Sequence, residues 1–339
     1  MITANKLWCR WSYIVIIIFM LPLSSCTKKA DVSKKSEKLP VVKLNIVTWP
    51  GYGPIYLGKA KDFFKEEGVD VDIQIQENTQ ARNSALVSGE IDLIGITLES
   101  VILANAKGVP QKVVGISDIS NGGDGIIAKN SIKSIKDLKG KTVAFPEGQP
   151  SHLFLLYHLD KAGLAIGDIK PVFTDDAGKA GELFAAGRAD AAVTWEPWLS
   201  KATESGKGHL LVSSKGVKDI LIGIFAANSN KVQKDSDKLT RFFRGWYKSM
   251  DYMQNHMEES LPIMAKGFNL PVAEFKDIMG GLRFIGKDEA KKMLGAESGQ
   301  GEFFEISKYE DSLWRKAGSY GNTVEPSTVF TGSVLAGVK

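Results

Sequence analysis

Two carboxylic acids stand on candidate ligand-facing loops of this 339-residue chain. Glu196 lies within Trp195-Glu196-Pro197-Trp198, and Asp124 closes the turn Asn121-Gly122-Gly123-Asp124. The proline after Glu196 biases that residue to extended backbone, which suits projection from a loop. Paired glycines before Asp124 allow close backbone approach. Trp49 and Tyr52 flank Pro50-Gly51, and flat rings of this kind stack on a ring or attract a cation. Carboxylates among rings suit an ammonium or amine. Two helix starts offer the opposite chemistry. Thr97, Glu99 and Ser100 open one, and Ser151 with His152 opens another. Free N–H groups beside short hydroxyls make a corner for an anionic end. Thr97 suits plain N-capping equally well, and packing inside the fold is the competing role for Trp49.

None of this is catalytic machinery. Ser151 and His152 are adjacent, so their side chains diverge at a helix start, and no acid is placed to orient the imidazole. His158, His209 and His256 are scattered without metal-ligand spacing. The only cysteines are Cys9 and Cys26, so the body has no disulfide framework and no thiolate metal site. No cofactor and no metal are expected. The net charge of +4 comes from the N-terminus: residues 1–40 hold seven basic and two acidic residues, leaving 36 basic and 37 acidic beyond. A body near neutrality argues against a surface that tracks phosphates, so nucleic acid is not an expected partner.

Lys6 and Arg10 precede an apolar run, Tyr13 to Leu23, that is too short to span a bilayer, where roughly 20 residues are needed. A positive flank before a short apolar run reads as a secretory signal over residues 1–25. It ends in Leu23-Ser24-Ser25-Cys26, which resembles the bacterial lipobox. That resemblance implies cleavage before Cys26, lipidation of Cys26 and an extracytoplasmic, membrane-anchored protein. Residues 26–40, rich in Lys and Ser, then form a flexible tether.

From residue 41 the pattern alternates strand and helix. Ten strands are expected, from Val42–Thr48 to the apolar run Asp219–Ala226, and residues from Asp235 on read as mainly helical. Short loops between alternating elements give an α/β class with mostly parallel sheets. In open sheets of this class ligands sit beyond the carboxyl ends of strands. The segments named above lie there.

Four pieces carry a family resemblance. They are Thr48-Trp49-Pro50-Gly51-Tyr52-Gly53-Pro54 with Phe63 to Val71, Ser88-Gly89-Glu90-Ile91-Asp92, Ser134 to Ala144, and Ala186 to Val193 leading into Trp195-Glu196-Pro197-Trp198. In this order the set resembles the substrate-binding proteins of ABC importers in the nitrate, sulfonate and taurine group, which includes thiamine-pyrimidine binders. The resemblance implies a bilobed type II periplasmic-binding-protein fold, two α/β lobes joined by two hinge crossings at Gly125–Lys129 and Asp219–Ala227. Lobe 1 is then 41–127 plus 224–339, and lobe 2 is 128–223. It further implies a monomer that captures a small-molecule solute and hands it to a permease with its ATPase. The carboxylates favour an amine- or aminopyrimidine-bearing solute, a taurine-like zwitterion included. The alternatives are a nitrate- or bicarbonate-type anion binder, a solute-sensing subunit, and an enzyme resembling thiamine-pyrimidine synthases. The last family carries a Cys-rich iron motif that the body here lacks.

Overall fold

The computed structural model describes residues 38–217, 220–295 and 302–339. Cys26 and the N-terminal segment lie outside them. Among the described residues no helix is long and apolar enough to cross a membrane.

From residue 39 on, the chain builds two mixed sheets. The first has the order β11-β4-β10-β3-β1-β2, made of β1 (Val41–Ile46), β2 (Asp70–Ile75), β3 (Leu93–Thr97), β4 (Gln111–Ser120), β10 (Ile222–Asn228) and β11 (Leu282–Phe284). The second has the order β7-β6-β8-β5-β9, made of β5 (Asp124–Ala128), β6 (Thr142–Pro146), β7 (Lys170–Thr174), β8 (Ala191–Trp195) and β9 (His209–Ser213). The sequence pattern shows ten of these strands; the three-residue β11 is too short to leave one. The chain leaves the first sheet at Ser120 and enters the second at Asp124, so Gly125–Lys129 is largely an inner strand of the second sheet. It returns between Ser213 and Ile222.

The sheets are less parallel than expected. β1 runs parallel to β2 and β3, and β6 parallel to β7 and β8. But β10 is antiparallel to β3 and β4, and β5 is antiparallel to β8 and β9. The reason is connectivity. β5 and β10 each follow directly from a strand of the other sheet, with no crossover helix to bring them round parallel.

The alternation follows from local chemistry. The helix Thr79–Ser88 starts where Asn78 accepts from Ala81 N at 2.8 Å, and stops at Gly89, whose φ of 81° lies in the left-handed region. The helix Val232–Asn255 buries Leu239, Phe242, Phe243, Trp246 and Met250 along one face. Three of its rings meet Phe225 of β10 at centroid distances of 5.6, 5.6 and 5.0 Å, and Tyr52 meets it from the other side at 5.5 Å. Truncating Phe225 to Ala would cost roughly 3–5 kcal/mol and would loosen Tyr52. The helix Glu302–Lys316 packs on both Leu98–Ala106 and Pro150–Lys161.

Candidate functional site

Between the ends of the two sheets lies a narrow cleft of about 40 Å³, partly open to solvent. The first sheet and its loops supply Trp49, Tyr52, Thr97 and Asp118; the second supplies Asp124 and Trp195; Gln149 and Pro150 come from the start of a helix.

Asp118 is the most elaborately built of these residues. The pairing of β4 with β10 slips by one residue at Ser117, and such a bulge re-aims the side chains beside it. The Asp118 carboxylate lies fully buried, accepting from Trp49 Nε1 at 2.8 Å and from Ser117 Oγ at 2.6 Å. Two glycines make its slot. A Cβ on Gly51 would come within 2.2 Å of Asp118 Oδ2, and one on Gly223 within 2.5 Å. Burial pushes the carboxyl up to about 6, and the two hydrogen bonds hold it down. Trp49 is thereby both a wall and a donor.

Asp124 opens β5 directly opposite Trp195 on β8. Burial pushes it up to about 7, Ser120 beside it pulls it down, and the charges of Glu99, Asp118 and Glu196 raise it further. The buried Trp195 indole N–H finds no acceptor among the described residues. Tyr52 donates from its hydroxyl to Ile96 O at 2.9 Å and reaches Ile224 O at 3.3 Å, so it ties β3 to β10 while its ring lines the cavity.

Of the residues singled out in the sequence, Trp49, Tyr52, Thr97, Asp124 and Trp195 meet in this cavity. Ser100, Ser151, His152 and Glu196 do not line it. Ser100 Oγ donates to Glu99 Oε1 at 3.0 Å, and Thr97 Oγ1 donates to the same oxygen. The helix start at Leu98 is thus occupied by the protein's own carboxyl rather than left open for an anion. Burial pushes Glu99 up to about 7, against the hydrogen bonds from Thr97, Ser100 and the backbone of that turn. At the other helix start, Gln149 and Pro150 face the cavity, and the next two residues turn inward. Ser151 is buried, and His152 packs against Phe145 and Trp314 at 4.8 and 5.0 Å. Its Nδ1 accepts from Gly148 N at 3.2 Å, and burial pulls the imidazole down to about 4, which keeps it neutral. Glu196 accepts from Ser200 N at 3.1 Å and Ser200 Oγ at 2.9 Å. It lines a neighbouring groove with Gly122, Leu199 and Ser200, because its own helix claims the carboxylate as a cap.

Asp118 and Gln149 fall in post-strand segments, 118–124 and 146–152, that the sequence marks as facing the ligand, without being singled out there, whereas Arg82 falls in none of them. Asp118 lies inside a strand, where alternation assigns side chains to faces but does not show a bulge. For Arg82 a signal existed. It stands four residues before Leu86 in the helix Thr79–Ser88, hence on the face that is buried.

The family model described as "NMT1/THI5 like" matches residues 49–260. Among sequence relatives, a Bacillus subtilis protein, YtlA, whose name describes it provisionally as a binding protein, is 26% identical over 263 residues, covering 75% of this chain and 77% of that one. The formylaminopyrimidine-binding protein of Halalkalibacterium halodurans is 26% identical over 261 residues, covering 74% of this chain and 77% of its own. Among solved structures, the alkanesulfonate-binding protein SsuA of Xanthomonas axonopodis pv. citri, bound to MOPS, superposes with a TM-score of 0.71 at 19% identity, over 87% of this chain and all of that one. The architecture is therefore that of the periplasmic binding proteins, and the chain belongs to the NMT1/THI5-like family.

Proposed function

We propose that this protein is the extracytoplasmic solute-binding subunit of an ABC importer. It captures a small organic solute bearing a protonated amine or an aminopyrimidine, and it performs no chemistry of its own. The observation that carries this reading is the pair Asp118 and Asp124, two buried carboxyls in one cavity walled by Trp49, Tyr52 and Trp195. Carboxyls held at about 6 and 7 by burial become ionised when a cation arrives, and the indole faces add attraction for it. One relative is named for binding a formylaminopyrimidine, which supports the same class. The lobes are 41–127 with 224–339, and 128–223, and hinged closure of one on the other would seal the solute. The lipobox-like segment supports an anchor at Cys26, with a monomeric body delivering solute to the permease and its ATPase.

A thermal-shift panel tests this. It contains aminopyrimidines, polyamines, taurine, plain alkanesulfonates, nitrate and bicarbonate. A solute at 100 times its Kd adds about 2.7 kcal/mol, which raises the midpoint by roughly 5 °C in a protein of this size. Stabilisation by amine-bearing members is expected. Stabilisation by nitrate or a plain sulfonate, with none by any amine, would overturn the reading. Product formation from a bound solute would overturn the non-enzymatic part.

A further inference from the structure

A second pair of carboxyls, Glu99 and Glu310, lies outside the cavity, and solute binding does not use it. Both side chains are fully buried. Thr97 and Ser100 supply one Glu99 oxygen. The other Glu99 oxygen and both Glu310 oxygens find no partner among the described residues, so no lysine or arginine neutralises Glu310 there. The helix Glu302–Lys316 brings the two together. Glu310 stands one turn before Trp314 on its buried face, and the Trp314 indole donates to Glu99 O at 3.2 Å. Two carboxylates in one dry site do not both ionise. With one proton between them, one O–H donates to the other carboxylate in a short, charge-assisted bond. Burial raises Glu310 well above the ordinary carboxyl range, and the Glu99 charge raises it further, so the pair still holds a proton at neutral pH.

Few other ionisable groups face the pair. Asp124 and Tyr52 feel the Glu99 charge from the cavity, and Tyr320 feels that of Glu310. Asp311, next to Glu310, is taken by Arg315 and Tyr320 at 2.9 Å each. His152 meets Trp314 edge-on at 5.0 Å and is neutral. The helices Lys287–Leu294 and Pro326–Val329 bury only apolar side chains. The helix Glu302–Lys316 also joins the halves built on the two sheets. It packs on Leu98–Ala106, which follows β3, and on Pro150–Lys161, which follows β6. On the second of these, Lys316 pairs with Asp160 at 2.9 Å and Tyr309 meets Tyr157 at 6.3 Å.

We propose that Glu99 and Glu310 share one proton, and that this proton latches the helix Glu302–Lys316 as a strap across the two halves of the protein. Its loss to solvent leaves two like charges buried together, so the helix lifts and the halves loosen. A carboxyl raised in the folded state stabilises at low pH, and that contribution is lost as pH climbs through its folded value. The latch therefore opens toward alkaline pH, and it needs no solute.

The test combines infrared spectroscopy, hydrogen exchange and small-angle scattering on the purified protein between about pH 8 and 10. The carbonyl band of a protonated carboxyl should persist in the native protein at the lower pH and vanish in Glu310→Gln. Protection of the 302–316 amides, corrected for intrinsic exchange, should fall at least ~tenfold across the range while the 232–255 amides hold. Glu310→Gln and Glu99→Gln each keep a permanent N–H donor between the side chains, so protection should stay within about threefold. Either serves if the other does not fold. The native radius of gyration should grow over the same interval and stay fixed in the amide variants. A carbonyl band unchanged by Glu310→Gln overturns the shared proton. Native protection of 302–316 that ignores pH, or that falls equally in both amide variants, overturns the latch. An equal fall over 232–255 is global loosening and overturns it too. Release of the helix at constant radius overturns the strap.

Discussion

Replacing Asp124 by asparagine separates the stability cost of the cavity from its binding function. In the folded protein the carboxyl titrates near 7, against an ordinary value of 3.8. A folded pKa raised above the unfolded one stabilises below pH 4, and the contribution is lost as pH rises through 7. About three units at 1.36 kcal/mol each make a loss of about 4 kcal/mol between pH 4 and pH 8. The asparagine side chain cannot ionise and should escape it. Asp124→Asn is therefore expected to match the native protein near pH 4 and to exceed it at pH 8 by up to roughly 8 °C in Tm. Relief of repulsion on Asp118, Glu99 and Glu196 is part of that gap. Binding should move the other way. Native affinity for an amine-bearing solute should climb with pH up to about 7 and then level, whereas the variant should lose at least ~30-fold, about 2 kcal/mol, at pH 8. The assays are thermal unfolding and calorimetry on both proteins from pH 4 to 8. A variant whose Tm follows the native pH slope would show that Asp124 is not a buried carboxyl of this kind.

Trp49→Phe keeps the ring and removes the donor to Asp118 Oδ1. It should cost about 1–3 kcal/mol, and more at pH 7 than at pH 5 because the carboxyl then titrates above about 6; urea unfolding at the two pH values reads this. Gly51→Ala places a Cβ at 2.2 Å from Asp118 Oδ2 and 2.6 Å from Trp49 Nε1. The pair must separate, so solute affinity should fall at least tenfold in titration calorimetry, with about 1–3 kcal/mol lost to overpacking. Cys26→Ser should release the protein from membranes on cell fractionation and abolish incorporation of labelled fatty acid, since two or more chains are needed for stable anchoring.

The fold was largely legible because its signals are local. Runs such as Ile222-Gly223-Ile224-Phe225 and stops such as Gly89 announce strands and helix ends without any tertiary information. Strand direction was not legible, since antiparallel β5 and β10 depend on which sheet the chain has just left. In the site, residues directly after strands were visible: Trp49, Thr97 and Asp124. Glu196 shows the limit. Its placement before a proline suggested a free loop carboxylate, but Ser200 four residues on supplies both a backbone and a side-chain donor. Asp118 opens a segment that the sequence marks as ligand-facing, yet neither it nor Arg82 stands out as a site residue, for a shared reason. Each is a charged residue inside a regular element, where solvation is the default reading, and only the bulge at Ser117 or the burial of the helix face turns it inward.

The choice between cation and anion turns on Glu99. An open helix start would be the natural seat for nitrate or a bare sulfonate, and Thr97 with Ser100 provides the hydroxyls for it. Instead both hydroxyls serve the Glu99 carboxyl, and the uncharged His152 at the other helix start adds no cation. A bare anion entering this cavity would meet Asp118 and Asp124, with Arg82 as its one lining cation among the described residues. Below about pH 6 both carboxyls are largely protonated, and the balance shifts toward an anion. Above 7 they are ionised, and the balance favours an ammonium. On the function proposed above, the same residues would set the class of solute and the pH at which that class changes, so a preference for amines that grew on acidification would contradict the proposal.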